Sequence, residues 1–205
     1  MGKIFCFMGK SSSGKDTIFK KVLRNFPGFE EIVLYTTRPI RAGEVDGVNY
    51  YFVDNLVYKQ MMQQNLIIES RSYNTVHGVW IYFTSAKNID LDNKNYMIIN
   101  TLEGYAKLKE YFGEENIIPI YIEVDDYNRL LRAIEREKVD SNPKYNELCR
   151  RFLADSEDFS EEKILKNGIN RRYINNDLNQ CISEIENDIY HISLLDRNKT
   201  KKKDI

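Results

Sequence analysis

The segment Gly9-Lys10-Ser11-Ser12-Ser13-Gly14-Lys15 constrains the fold of this chain more than any other. It follows Ile4-Phe5-Cys6-Phe7-Met8, an apolar run that reads as a buried strand. It precedes Ile18, Val22 and Phe26, which recur at helical spacing until Pro27-Gly28 ends them. The spacing G-x-x-x-x-G-K between a strand and a helix is that of a phosphate-binding loop. Small residues there let several backbone N–H groups converge on phosphate oxygens, and the helix N-terminus adds positive potential. Gly9, Ser11, Ser12, Ser13, Gly14, Lys15, Asp16 and Thr17 are therefore candidate ligands of a nucleoside triphosphate. Lys15 supplies a point charge to the terminal phosphates. Asp16 stands where many such loops carry Ser or Thr, with Thr17 one residue later. Asp16 is expected to cap the helix. The alternative is a metal site, with Mg2+ held by phosphates and water and by Asp16 or Thr17.

The rest of the chain reads as alternating strands and helices. Strands are expected at 31–35, 50–53, 66–69, 79–83, 96–99, 117–124 and 170–175. Helices are expected at 56–64, 103–112, 126–138, from Pro143 to about 159, and 178–190. This rhythm implies an α/β fold with a mainly parallel sheet covered on both faces. Residues 34–86 read as an insertion with a small mixed or antiparallel sheet of its own. Residues 193–205, rich in lysine, read as a basic, disordered tail beyond a domain spanning 1–192.

Composition excludes several classes. With 30 Lys+Arg against 31 Asp+Glu, the net charge is −1, which argues against broad binding to nucleic acid or anionic membrane. No apolar run approaches the roughly 20 residues of a membrane span. Cys6, Cys149 and Cys181 are scattered and odd in number, so neither a disulfide framework nor a zinc motif is expected and a cytoplasmic location is. The sequence carries no signal for oligomeric state.

A second anion site is suggested by Thr36-Thr37-Arg38-Pro39-Ile40-Arg41-Ala42-Gly43-Glu44-Val45-Asp46-Gly47-Val48-Asn49-Tyr50. Arg38 and Arg41 can converge on one dianion through bidentate contacts, and Tyr50 adds a hydroxyl donor. The pattern T-T-R-x-x-R-x-G-E-x-x-G-x-x-Y, with Phe52 following, resembles guanylate kinase. Glu69 falls where that family has the carboxylate that reads N1–H and N2–H2 of guanine. Arg132 and Arg136 resemble its paired lid arginines, although as neighbours on one helix they also suit surface ion pairs. Arg151 resembles the arginine of the next helix, and Asn175-Asn176-Asp177-Leu178 the N-D-D-L segment near the end. The resemblance covers roughly residues 3–190.

The resemblance implies a three-layer P-loop NTPase fold with an acceptor-binding insertion (34–86) and a helical lid (128–148). It implies ATP-dependent phosphorylation of GMP, and of dGMP, to the diphosphate, with Mg2+ as cofactor. The residues expected around the transferred group are Lys15, Arg38, Arg132, Arg136 and Arg151. Those expected to hold GMP are Arg38, Arg41, Tyr50, Glu69 and His77. Two alternatives stay open: a P-loop kinase for another small phosphorylated substrate, and a non-catalytic binding module.

The sequence departs from the family at several places. Lys10, Ser12 and Asp16 replace Pro, Gly and Ser/Thr of the family's loop. His77-Gly78-Val79 stands for Tyr-Gly-Thr/Ser, with His77 as a substitute donor. Leu34 or Tyr35 stands for a serine that contacts guanine O6, a contact that is lost or passes to the Tyr35 hydroxyl. Ile99-Asn100-Thr101 replaces an acidic pattern. These changes fall on base recognition, so relaxed base choice is expected.

Overall fold

The computed structural model describes residues 2–75 and 78–201, with side chains described as far as residue 194. The chain runs β1 (Ile4–Met8), α1 (Lys15–Asn25), β2 (Phe29–Glu31), β3 (Tyr35–Thr36), β4 (Tyr51–Phe52), α2 (Asn55–Gln63), β5 (Ile67–Thr75) and β6 (Gly78–Ser85). It continues with β7 (Asn95–Ile99), α3 (Leu102–Phe112), β8 (Ile117–Glu123), α4 (Asp126–Lys138), α5 (Tyr145–Asp158), α6 (Glu161–Lys166), β9 (Arg172–Ile174) and α7 (Leu178–Lys201).

Five strands form a wholly parallel sheet in the order β2-β7-β1-β8-β9. The central strand β1 is buried along its whole length because helices cover both faces of the sheet. Its side chains alternate between two cores. Ile4, Cys6 and Met8 pack on one side with Tyr96, Ile98, Tyr105 and Leu108. Phe5 and Phe7 pack on the other with Ile18, Phe19, Val22 and Ile185. Each such apolar side chain contributes about 1.5–3 kcal/mol when removed from water. This central strand delivers the phosphate loop at its C-terminal end, where ligands bind in open α/β sheets.

The second sheet has the order β4-β3-β6-β5 and is mixed: β3 pairs parallel with β4 and antiparallel with β6, which pairs antiparallel with β5. One face packs on α2 through Tyr35, Met61 and Phe83. Its opposite face carries Tyr82, Thr84, Glu69 and Arg71. Strand β5 bulges at Ile68, since Ile67 pairs with Ser85 and Glu69 with Thr84. The bulge breaks strict alternation, so Ile67 packs toward α2 while Glu69 faces the other way.

Three local expectations are corrected. The strand expected over 31–35 is two strands in two sheets: the chain leaves the parallel sheet after Glu31 and joins the mixed one at Tyr35. Ile32 and Leu34 are apolar there because they pack on the first core between the sheets. The strand expected over 170–175 is confined to Arg172–Ile174. The short helix α6 was not anticipated. The expected basic tail overlaps the end of α7, and residues 202–205 lie outside the described residues.

Candidate active site

Helix α1 begins at Lys15, and Gly14 (φ 85°) is its N-cap. A Cβ on Gly14 would stand 2.5 Å from Asn175 Nδ2. That amide donates to the Ser13 carbonyl at 2.7 Å, so the C-terminal end of the parallel sheet braces the loop. Ser12 adopts a left-handed backbone (φ 63°), an uncommon conformation for a non-glycine residue. The hydroxyls of Ser12 and Ser13 are buried without a protein partner. Unpaired buried hydroxyls cost about 1–3 kcal/mol each, so the loop is organised for a polar ligand. Both serines line a cavity of about 260 Å3 together with Gly14, Lys15, Asp16, Thr17, Lys10, Arg132 and Arg136.

Asp16 does not cap α1. It sits inside the first turn, its side chain 73% exposed, 3.6 Å from Lys15 Nζ. Gly9 and Ser11 do not line the Lys15 cavity. Gly9 closes on the sheet, where a Cβ would meet the Ile122 carbonyl at 2.5 Å. Ser11 is turned to the lid helices: its N–H donates to Asp155 Oδ2 at 2.8 Å. Its carbonyl accepts from Arg129 at 3.2 Å and its hydroxyl from Arg151 at 3.2 Å.

Arg129 joins the loop to α4 and α5. It is 1% exposed, paired with Asp155 at 3.1 Å and Asp126 at 2.9 Å, and lies 4.2 Å over the Phe152 ring. It brings α4 and α5 against the loop. In consequence Arg132 and Arg136 face the Lys15 cavity, and Arg151 lies beside Ser11. Arg132 also donates to the Asn175 carbonyl at 3.0 Å. Neither Arg132 nor Arg136 is paired with Glu135 or Asp125 among the described ion pairs.

A second cluster of charged residues is built on the face of the mixed sheet turned away from α2. Arg38 is 4% exposed and forms a two-pronged pair with Glu44, at 2.7 and 2.5 Å. Its Nε donates to the Tyr82 hydroxyl at 3.0 Å, and its guanidinium lies 5.2 Å from the Tyr50 and Phe52 ring centres. The Arg38 guanidinium holds the Glu44 carboxyl down at about 2. Glu44 also accepts the Arg41 N–H at 2.8 Å, which leaves the Arg41 side chain exposed, 5.8 Å from the Trp80 ring centre. Burial and the neighbouring Tyr82 push the Tyr50 phenol upward, against the pull of Arg38 and Arg71. Arg38 and Tyr50 are thus gathered at one place, with the backbone of Arg41 beside them through Glu44.

Glu69 lies further along the same face, 8% exposed. Its Oε1 accepts from Thr84 Oγ1 at 2.6 Å and from Asn100 Nδ2 and Arg71 Nη2, both at 3.4 Å. Its Oε2 lies 3.2 Å from Arg71 Nε. Arg71 also donates to Thr101 Oγ1 at 2.9 Å and to Asn100 Oδ1 at 3.1 Å. Thr101 is the N-cap of α3, so this cluster ties the mixed sheet to the parallel one. Burial and the Glu69 charge push the Cys6 thiol beneath it upward.

Tyr35 cannot supply the hydroxyl foreseen for it. It pairs with Phe83 on the α2 face, 5.1 Å from that ring and 4.7 Å from Tyr51. Leu34 and Ile99 pack into the two cores. Val79 is exposed, and His77 lies outside the described residues. Arg71, Thr84, Glu44, Arg129 and Asp155 were missed by sequence reasoning. Arg71 was within reach of it, because residues two apart in a strand share a face.

Comparison with known proteins identifies a family. A family model described as guanylate kinase matches residues 1–190. A guanylate kinase of Chlorobium chlorochromatii is 25% identical over 186 residues, 90% of this chain and 93% of that protein. One from Neisseria meningitidis serogroup A is 28% identical over 194 residues, covering 93% and 86% of the two chains. The crystal structure of guanylate kinase from Anaplasma phagocytophilum superposes with a TM-score of 0.62 at 24% identity, over 93% of this chain and 85% of that one.

Proposed function

Since this chain belongs to the guanylate kinase family, we propose that it transfers the γ-phosphoryl group of ATP to GMP, giving ADP and GDP. The observation that carries this reading is the convergence of Lys15, Arg132 and Arg136 on one cavity, with a second cationic site at Arg38 and Arg41. Phosphoryl transfer asks little covalent chemistry of a protein. It needs two nucleotides aligned and positive charge around the migrating group.

The roles follow from position. Backbone groups of Ser12, Ser13 and Gly14 and the Lys15 ammonium take the ATP phosphates. Arg38, Arg41 and Tyr50 take the acceptor phosphate, and Glu69 takes the base. Arg132, Arg136 and Arg151 stand on the helices that would close over both nucleotides and exclude water. The moving parts would be the acceptor-binding insertion at 34–86 and the lid at 128–148. Asp16 and Thr17 are hard oxygen donors at the edge of the phosphate cavity, which suits Mg2+ bound mainly by phosphates and water. When bound, the ion would neutralise phosphate charge.

Among the described residues no helix is long and apolar enough to cross a membrane. A coupled ADP-release assay over GMP, dGMP, IMP, AMP, CMP and UMP tests the reading. GMP or dGMP should be turned over with ATP. A best rate with AMP or a pyrimidine monophosphate would overturn the assignment of the base site.

A further inference from the structure

The base end of the acceptor site is occupied in an unusual way. A lone carboxylate there could read guanine with both oxygens, one for N1–H and one for N2–H2. Glu69 does not have both oxygens to offer. Oε1 already accepts from Thr84, Asn100 and Arg71, whereas a carboxylate oxygen has about two lone-pair sites. Only Oε2, 3.2 Å from Arg71 Nε, retains room for a further donor.

Arg71 adds the complementary group. Its Nη2 donates to Asn100 and Glu69, while its Nη1 donates to Thr101 alone. A guanidinium has five N–H donors; the Nε–H is buried beside Glu69 Oε2 without a hydrogen bond, and one N–H on Nη1 remains for a ligand. Arg71 also pairs across the strands with Tyr82, whose hydroxyl accepts from Arg38. It therefore stands next to the phosphate-holding group on the ligand face. Its side chain is 17% exposed and its guanidinium is fixed by three neighbours, which preorganises it for recognition.

The site thus presents one acceptor beside one donor. That pair complements a ring N–H beside a carbonyl, the N1–H and C6=O edge of a 6-oxopurine. It offers nothing to the 2-amino group. Adenine is mismatched at both points: its N1 lone pair would face Oε2 and its 6-amino group would face Arg71. Such mismatches leave buried polar groups unpaired and are strongly discriminating, whereas an unread substituent is not.

Building on the acceptor-site reading above, we propose that Arg71 makes this pocket read the 6-oxo, N1–H edge of a purine monophosphate and leave the 2-amino group unread. Inosine and guanosine monophosphates are then both substrates, with comparable kcat/KM. Arg71 is a specificity-determining residue, replacing the O6 contact that neither Leu34 nor Tyr35 supplies.

The test compares Kd by calorimetry and kcat/KM with ATP for GMP, IMP and AMP in the wild-type chain, Arg71→Ala and Arg71→Lys. In the wild type, GMP and IMP should lie within about tenfold of each other, the scale of one neutral hydrogen bond, with AMP far below. Arg71→Ala removes the O6 donor and releases Oε2, so IMP should lose more than GMP. The GMP:IMP ratio should widen by about tenfold, with Arg71→Lys in between. A wild type that prefers GMP over IMP by more than about a hundredfold overturns the proposal even if neither variant folds. So does an Arg71→Ala variant that lowers both equally. If neither monophosphate binds the wild type, the acceptor-site reading falls too. Tight GMP with no measurable IMP overturns the Arg71 proposal alone.

Discussion

Arg38 and Glu44 lock each other in place: both guanidinium Nη atoms meet both carboxylate oxygens, at 2.7 and 2.5 Å. In the proposed function the pair forms the floor of the acceptor-phosphate site, and Glu44 also fixes the backbone of Arg41. Glu44→Gln should weaken the hold on Arg38. KM for GMP is expected to rise by about tenfold, on the scale of one charge-assisted hydrogen bond, while KM for ATP stays nearly constant. The same pair has a pH signature. Folding holds the Glu44 pKa at about 2, below the ordinary 4.5, so the unfolded chain binds the proton more tightly. The stabilisation is complete at neutral pH and is lost as pH falls from 4.5 toward 2. Acid-unfolding curves of wild type and Glu44→Gln should converge across that range; curves that stay parallel would count against the pair.

Lys15→Ala should abolish most turnover while leaving the circular dichroism spectrum unchanged. Losing one preorganised charge-stabilising group typically costs about 10²–10³ in kcat. A near wild-type rate with unchanged ATP affinity would remove Lys15 from the phosphate site.

Arg41 and Arg38 should separate kinetically. Arg41 is exposed and held only through its backbone and the Trp80 ring, so Arg41→Ala should raise KM for GMP far more than kcat changes. Arg38 is buried, and the proposed function puts it beside the transferred group, so Arg38→Ala should lower kcat as well. Steady-state kinetics with each nucleotide varied in turn distinguishes the two. Equal effects on ATP and GMP from Arg41→Ala would make it a mere surface group.

Asp155→Ala should unlock the phosphate loop from the lid. It strips Arg129 of a buried partner and the Ser11 N–H of its acceptor. Breaking a buried ion pair costs about 3–5 kcal/mol, so a clear drop in Tm is expected. KM for ATP should rise more than KM for GMP. Chemical denaturation and initial-rate kinetics measure both; a stable variant with unchanged ATP kinetics would mean that the Arg129 bridge is idle.

The phosphate loop was legible because its signals are local and concordant: an apolar run, G-x-x-x-x-G-K and a helical period meet within some twenty residues. Arg38 and Arg41 were legible because two arginines flank a turn-rich segment beside such a loop. The base pocket was not. Arg71 two residues from Glu69 looks like a solvated charge on a strand, and only the packing of β5 on the start of α3 turns it into part of the site. Of the two options for the O6 contact, loss or transfer to Tyr35, the second falls for a related reason. Its hydroxyl suits the chemistry, but its pairing with Phe83 sends it to the α2 face. Asp16 has the chemistry of a cap, yet the helix starts one residue before it, at Lys15. The strand expected at 31–35 failed because apolar residues serve two sheets and a core equally well, and sequence alone does not say where the chain changes sheet.

The unpaired Ile68 in β5 has a consequence beyond its local geometry. In a pleated strand, facing is a matter of parity: an odd change in residue count inverts every side chain beyond it. The face on which Glu69 and Arg71 stand therefore depends on this one bulge as much as on the residues themselves. Were Ile68 paired in register opposite Thr84 instead of bulging out, the same carboxylate and the same guanidinium would point into the hydrophobic packing against α2, with their chemistry unaltered and no ligand to meet. Side chains along this segment can change, but the facing that the bulge sets for Glu69 and Arg71 cannot.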